Sequence, residues 1–259
     1  MSTKIYWFSG SGNSFHVAQQ IGAALNAELV PIAAPGAAQG PPADRIGIVC
    51  PVYGFGLPAL VMRFIATMPV GESPHAFCVV TCGGMAGAAI GIAERLLKTR
   101  GVTLSSGFVV RMPDNYPPFG GAPGAEKTAS INARADERIA EVTAALSTDA
   151  PGRVERPTII TRAAGRFISY WFARSLAKTD RKFFADDKCN QCGICARVCP
   201  VENIELFEGR PQWLGHCEQC YACFHWCPQK AVQYGKRTGR QVRYHHPGCS
   251  LDDMLVRGE

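Results

Sequence analysis

Two short segments of the chain carry most of its cysteines at a fixed spacing. Residues 189–200 read CNQCGICARVCP and residues 217–228 read CEQCYACFHWCP, so each follows the pattern C-x2-C-x2-C-x3-C-P. In iron–sulfur sites this spacing lets a tight loop present three thiolates to one 4Fe-4S cluster, while the fourth cysteine binds the other cluster. The pattern predicts two clusters with crossed ligands. These are Cys189, Cys192, Cys195 and Cys227 for the first cluster, and Cys217, Cys220, Cys223 and Cys199 for the second.

Two other uses of these cysteines fit the spacing less well. Zinc sites also use C-x2-C pairs, but they usually place two such pairs well apart in the chain. Disulfides belong to oxidising compartments, whereas the N-terminus, MSTKIYWFSGSGNS, has no apolar run typical of a signal peptide. The sequence also has no run of about 18 uncharged apolar residues, as a membrane-spanning helix requires. We therefore predict a cytoplasmic protein.

The cysteine module resembles the bacterial two-cluster ferredoxins over about 50 residues. This resemblance implies low-potential one-electron transfer between two neighbouring clusters. The spacing alone does not fix the potential, because protein-bound clusters range from roughly −700 to +450 mV.

A second candidate site lies near the N-terminus, where residues 8–14 read FSGSGNS between a predicted strand and a predicted helix. Gly10 and Gly12 allow the backbone to turn tightly and to approach an anion closely. The helix N-terminus that follows favours negative charge. The loop therefore predicts a phosphate site, with a simple helix-capping turn as the alternative. Its candidate ligands are Ser9, Gly10, Ser11, Gly12, Asn13 and Ser14.

This loop does not fit two common nucleotide-binding motifs. It lacks the third glycine of G-x-G-x-x-G, and no acidic residue ends the second predicted strand. The chain also has no Gly-Lys-Ser/Thr at this place, which excludes a triphosphate loop of the P-loop type.

Three more loops follow predicted strands, at the edge where open parallel sheets bind ligands. Two of them, PVYGFGLP (51–58) and TCGGMAGAA (81–89), are rich in glycine, so their backbone groups can reach the edge of a flat ring. Either loop could instead be a tight turn whose aromatic residues enter the core. The third, MPDNYPP (112–118), follows the last strand. The candidate ring-binding residues are Pro51, Val52, Tyr53, Gly54, Phe55, Thr81, Cys82, Gly83, Gly84, Asn115 and Tyr116.

The elements that position these loops alternate between strands and helices over residues 1–148. This rhythm predicts a parallel sheet with helices on both faces. The predicted strands are Lys4–Phe8, Glu28–Ile32, Arg45–Cys50, His75–Thr81 and Thr103–Arg111. The predicted helices are Ser14–Ala24, Ala59–Thr67, Gly87–Lys98 and Ala133–Leu146.

Over about 145 residues the front domain resembles a flavodoxin, because Ser9–Ser14 matches that family's phosphate loop, Thr/Ser-x-Thr/Ser-Gly-Asn-Thr/Ser. The resemblance implies a doubly wound α/β fold with strand order 2-1-3-4-5 and non-covalently bound FMN. It places the FMN phosphate at Ser9–Ser14 and the ring at Tyr53–Phe55 and Thr81–Gly84. Flavodoxins commonly stack an aromatic residue from the third loop on the flavin, but residues 81–89 contain none. We expect that face to be open or covered by Tyr116, which is also a candidate proton donor.

A basic segment, residues 149–185, links the two modules. Between Arg153 and Lys182 eight basic and two acidic residues give +6, which equals the net charge of the chain. An amphipathic helix is predicted at 158–178, with Ile160, Ala164, Phe167, Trp171 and Ser175 at helical spacing. We expect this helix to dock the cysteine module onto the front domain. The alternative is contact with an acidic partner protein or an anionic membrane surface.

The full order of segments resembles the flavodoxin–ferredoxin fusion family, the EFR-type ferredoxins. The predicted segments are a front domain (1–148), the linker helix (149–185), a small α+β ferredoxin domain (186–235) and a basic tail (236–259). This resemblance implies an electron-transfer protein that exchanges electrons with redox partner proteins. The alternative is an FMN-dependent reductase of a small organic acceptor, and a redox sensor is a third class. No nucleic-acid partner is expected.

Overall fold

A five-stranded parallel sheet forms the centre of the front domain, in the order β2-β1-β3-β4-β5. The computed structural model describes residues 2–71, 75–148, 152–176 and 179–255, without the side chain of Arg162. The strands are β1 (Thr3–Trp7), β2 (Glu28–Pro31), β3 (Arg45–Pro51), β4 (His75–Cys82) and β5 (Thr103–Arg111). The predicted flavodoxin-like α/β fold is confirmed. Because the strands are parallel, the loops that follow β1, β3, β4 and β5 meet at one edge of the sheet.

Helices cover both faces of this sheet. Helices α1 (Asn13–Leu25) and α4 (Ala125–Leu146) pack together on one face, and α2 (Ala59–Thr67) and α3 (Ala89–Thr99) pack on the other. The fourth helix begins eight residues before the predicted start, at Ala125. Its first two turns are mostly polar, so they add little to an apolar periodicity, although Glu126 complements the helix dipole there.

The linker forms helix α5 (Ile159–Ser175), but its apolar stripe does not dock. The side chains of Ile160, Phe167 and Trp171 are 82%, 67% and 57% exposed. The opposite face packs on the front domain, where Ser169 contacts Gly56 and Phe172 contacts Gly54. The apolar stripe is therefore not a docking surface, and the expectation that this helix docks the cysteine module onto the front domain stays a prediction. Lys178 and residues 149–151 of the linker lie outside the described residues.

The cysteine module is a small α+β unit with two antiparallel strand pairs. Strand β6 (Phe183–Ala185) pairs with β9 (Val232–Tyr234), and β7 (Ile204–Phe207) pairs with β8 (Arg210–Trp213). Each cysteine run contains a one-turn helix: α6 (Ile194–Arg197) and α7 (Ala222–His225). In the segments that the structure describes, no helix has the length and apolarity needed to cross a membrane.

Candidate functional site

The loop between β1 and α1 exposes a cluster of backbone N–H groups. Gly12 has φ 93°, which turns the chain into the helix, and its N–H donates to Ser9 Oγ at 3.0 Å. Within the described residues, the N–H groups of Gly10, Ser11, Asn13 and Ser14 donate to no protein acceptor. Four unpaired donors at a helix N-terminus form an anion site. The residues present therefore fit a phosphate group.

The side chains of this loop are mostly engaged with the protein itself. The Asn13 amide donates to Pro113 O at 3.2 Å and accepts from the Tyr244 hydroxyl at 2.7 Å. The Ser14 hydroxyl lies 2.8 Å from Thr81 Oγ1, and Asn115 Nδ2 donates to Ser11 Oγ at 2.6 Å. These bonds hold neighbouring loops in place, so the backbone rather than the Asn13 amide supplies the free donors.

A single cavity at this edge of the sheet, called the edge cavity below, brings together residues from all of the predicted loops. The predicted residues that line it are Ser9, Gly10, Ser11, Asn13, Ser14, Pro51, Val52, Tyr53, Thr81, Cys82, Gly83, Asn115 and Tyr116. Four predicted residues do not line it, namely Gly12, Gly54, Phe55 and Gly84. Gly54 and Phe55 turn away, because Gly54 lies under Phe172 of α5 and the Phe55 carbonyl accepts from Ala88 N–H.

The far wall of the edge cavity comes from the second cysteine run. Gln219, Cys220 and Tyr221 line it opposite the loops of the front domain. The Tyr116 hydroxyl donates to Gln219 Oε1 at 2.8 Å, and the Tyr116 and Tyr221 rings meet edge to face at 5.3 Å. Tyr221 was not expected from the sequence as a site residue. Tyr221 supplies an aromatic side chain beside the cavity, whereas the loop 81–89 contains no aromatic residue.

Two other candidate groups in the edge cavity hold their protons. Burial raises the pKa of the Tyr116 hydroxyl, and its proton is directed at Gln219. Burial also raises the pKa of the Cys82 thiol to about 11, so Cys82 is a neutral thiol at neutral pH. The hydrogen bond to Gln219 fixes the position of the Tyr116 hydroxyl. Proton donation by Tyr116 to a substrate stays a prediction.

Hydrogen bonds over long sequence separations fix the cysteine module against the edge cavity. Trp226 Nε1 donates to Gly10 O at 3.0 Å, across 216 residues of sequence. Burial lowers the pKa of His225 to about 3, so this imidazole is neutral. Its Nδ1 accepts from Tyr244 N–H at 3.1 Å, and its Nε2–H therefore donates to Asn115 O at 2.9 Å. The modules are thus joined beside the cavity itself.

A buried carboxylate adds a further connection between the modules. The side chain of Glu218 is 4% exposed and lies at the start of α2. It accepts from Leu60 N–H at 3.0 Å and from Arg63 Nη2 at 2.6 Å. A carboxylate at a helix N-terminus with a paired guanidinium has the partners that a buried charge needs.

The cysteine side chains surround two further small cavities. Cys189, Cys192, Cys195 and Cys227 line the first, and Cys199, Cys217, Cys220 and Cys223 line the second. These sets match the crossed ligand assignment. Three cysteine sulfurs each accept a hydrogen bond from a backbone N–H group at 3.2 Å. Asn203 donates to Cys199, Gln219 to Cys217, and Ala231 to Cys227. Such donors stabilise thiolate charge and tune the potential of a bound cluster.

The segment at 244–249 packs on the loop between β1 and α1, which the sequence did not indicate. His246 N–H donates to Ser11 O at 2.8 Å, and the Cys249 thiol donates to Gly12 O at 3.3 Å. The rings of His246 and His16 stack at 4.0 Å. The sequence signal for this contact is weak and consists of the segment YHHP at 244–247.

Comparison with known proteins identifies the cysteine module. Residues 188–238 match the family model described as a 4Fe-4S dicluster domain, about a fifth of the chain. No curated protein matches the chain. The structure therefore joins a flavodoxin-like α/β domain to a 4Fe-4S dicluster module.

Several solved structures are similar to part of the chain. A putative flavoprotein from Bacteroides uniformis is 16% identical, with a TM-score of 0.35, and the match covers 42% of this chain and 90% of that one. An FMN-dependent NADH-azoreductase from Bacillus anthracis, in complex with FMN, is 10% identical, with a TM-score of 0.38 and coverages of 57% and 100%. The strand order of the sheet itself defines the flavodoxin-like fold.

Proposed function

We propose that this chain is an iron–sulfur flavoprotein that transfers electrons between two 4Fe-4S clusters and FMN. One observation carries the proposal: Cys220 lines both the edge cavity and the second cysteine cavity. A ligand in the edge cavity and a cluster held by Cys220 would share Cys220 and Tyr221 as their common wall. Electron transfer requires this kind of proximity, and the module order is that of the flavodoxin–ferredoxin fusion family.

The residues around the edge cavity have the chemistry to hold FMN. The unpaired N–H groups of Gly10, Ser11, Asn13 and Ser14 would bind its phosphate. The loops at 51–53, 81–83 and 112–116 would border its ring, with Tyr221 on the side of the cysteine module. When bound, FMN can accept two electrons and release them singly or as a hydride.

The two cysteine cavities differ in their access to solvent, which suggests an order for electron transfer. In the first cavity Cys192 is exposed, whereas none of the four cysteines of the second cavity is exposed. A partner protein can approach the first cavity from outside, and the second lies against the edge cavity. We therefore place exchange with redox partner proteins at the cluster held by Cys189, Cys192, Cys195 and Cys227.

A reductase of a small organic acceptor is the second candidate function. It is favoured by Asp114, an exposed carboxylate that lines the edge cavity beside Tyr116. An acceptor that entered past this segment would meet polar groups at the ring position. Saturable reoxidation of the reduced protein by quinones, enones or nitro compounds would favour this function over a pure carrier.

Cofactor content tests the proposal. Protein purified without oxygen is expected to contain about eight irons, about eight sulfides and about one FMN per chain, since each of two clusters has four irons. Metal analysis, sulfide assay and the visible spectrum of the released flavin measure these quantities. Zinc in place of iron, or a protein without flavin, would contradict it.

A further inference from the structure

A large cleft, called the basic cleft below, lies beside the edge cavity at the outer edge of the sheet. It has a volume of about 1160 Å³ and is open to solvent. One wall is the end of β5 with the loop at 83–87, a second wall is α4, and the third is the start of the linker at 153–158. It is therefore large enough for a small organic molecule, since small-molecule sites measure about 300–1000 Å³.

Helix α4 contributes one continuous row of side chains to this cleft. Lys127, Ile131, Arg134 and Arg138 follow each other at steps of four, three and four residues, and all four line the cleft. Such steps place residues on one face of a helix. The row therefore presents three cations and one apolar side chain in the same direction.

The charges of the basic cleft are only partly neutralised by the protein. Arg138 binds Glu141 and Glu155, and Arg156 binds Glu94. The other four lining cations have no carboxylate within ion-pair distance among the described residues. These are Arg111, Lys127, Arg134 and Arg153, and all four are exposed. These four cations outnumber Asp114, the one lining carboxylate without an ion pair among the described residues, so the cleft attracts anions. Arginine pairs well with carboxylate and phosphate groups.

The basic cleft borders the proposed flavin position. Gly83, Met112 and Asp114 line both it and the edge cavity. A Cβ atom at Gly83 would lie 2.6 Å from Asp114 Cβ, so these two residues form a thin wall between the spaces. A ligand in the cleft can thus have one end beside the ring of a bound flavin.

We propose that the basic cleft binds a small organic anion with at least two negative charges and an apolar body. The four unpaired cations would hold the charged groups, and Met85, Ile131 and Val154 would contact the apolar body. Diphosphates and dicarboxylates both have this chemistry. The use of such a molecule as an electron acceptor rests on the proposed function, whereas its binding does not.

Isothermal titration of the full-length protein at low ionic strength tests this proposal. The probes are inorganic pyrophosphate as a charge-only ligand, hexyl diphosphate and octanedioate. We expect one site per chain and at least tenfold tighter binding of hexyl diphosphate or octanedioate than of pyrophosphate. Whichever of these two binds tighter identifies the class of charged group.

Variants that remove positive charge inside and outside the cleft locate the site. Arg134→Gln combined with Arg111→Gln is expected to weaken binding at least tenfold, while Lys98→Gln, on the exposed side of α3, is expected to change it less than twofold. No saturable binding of any probe, or equal binding by the double variant and the wild type, would overturn the proposal. The titration measures the heat of binding and needs no redox chemistry. Ligand binding in the basic cleft can therefore be confirmed even if the protein contains no flavin.

Discussion

Alanine in place of Gly10 is expected to separate the two modules and to empty the edge cavity of flavin. A Cβ atom at this position would lie 2.2 Å from the carbonyl oxygen of Cys220 and 3.1 Å from its carbonyl carbon. Because the obstacle is backbone, a change of side-chain rotamer cannot relieve the overlap. Overpacking of this kind costs about 3 kcal/mol. The shift would also stretch the bond from Trp226 Nε1 to Gly10 O.

Gly84→Ala is the matched control for this prediction. Gly84 belongs to the neighbouring glycine-rich loop, but a Cβ atom there would have nothing within 4 Å. Flavin content and thermal unfolding should be measured for both variants. The Gly10 variant should lose its flavin and unfold at a lower temperature, while the Gly84 variant should match the wild type. Full flavin retention in the Gly10 variant would mean that the close contact at Cys220 does not shape the site.

Serine in place of Cys220 is expected to remove the cluster beside the flavin and to slow flavin reduction by a reduced ferredoxin at least tenfold. The iron content should fall from about eight to about four per chain, because one of two four-iron clusters is lost. Cys220 lines both cavities, so no other ligand variant acts so directly on the contact between them. Stopped-flow absorbance at the flavin band measures the rate.

The control is Cys82→Ser, which changes a cysteine in the same cavity that belongs to neither cysteine run. Its iron content should equal that of the wild type, and its rate of flavin reduction should fall far less than that of the Cys220 variant. Equal rates in the Cys220 and Cys82 variants would show that the clusters do not deliver electrons to the flavin. Loss of iron in the Cys82 variant would show that the ligand assignment is incomplete.

The sheet could be predicted from the sequence because its strands are buried and apolar. Residues 46–50 and 76–81 are buried throughout, so these strands read as continuous apolar runs between loop signals. Their carboxyl ends then determined where the loops meet. For this reason most residues of the edge cavity were found from the sequence, including the segment with Asn115 and Tyr116.

The orientation of α5 could not be predicted from its periodicity. Apolar residues at helical spacing indicate an amphipathic helix, but they do not indicate which face meets the protein. Here the contact face contains Gly165 and Ser169, which are small enough for close approach to the loops below. Close packing of small residues leaves a weak hydrophobic pattern, and the stronger stripe at Ile160 and Trp171 faces solvent.

The contacts that join the two modules could not be predicted from the sequence either. It depends on individual hydrogen bonds between residues far apart in the chain, such as His225 with Asn115 and Tyr116 with Gln219. Local spacing carries no information about such pairs. The contribution of the tail through Tyr244 is of the same kind, since its hydroxyl binds Asn13 across 231 residues.

A crystal structure of the oxygen-protected protein, with anomalous scattering measured at the iron edge, tests the central claim most directly. The account predicts iron in both cysteine cavities and a flavin whose phosphate contacts the N–H groups of Gly10 to Ser14. It also predicts that Tyr221 lies beside the flavin and that Cys220 binds the nearer cluster. Zinc at the cysteines, or a flavin bound away from the second cysteine run, would contradict the account.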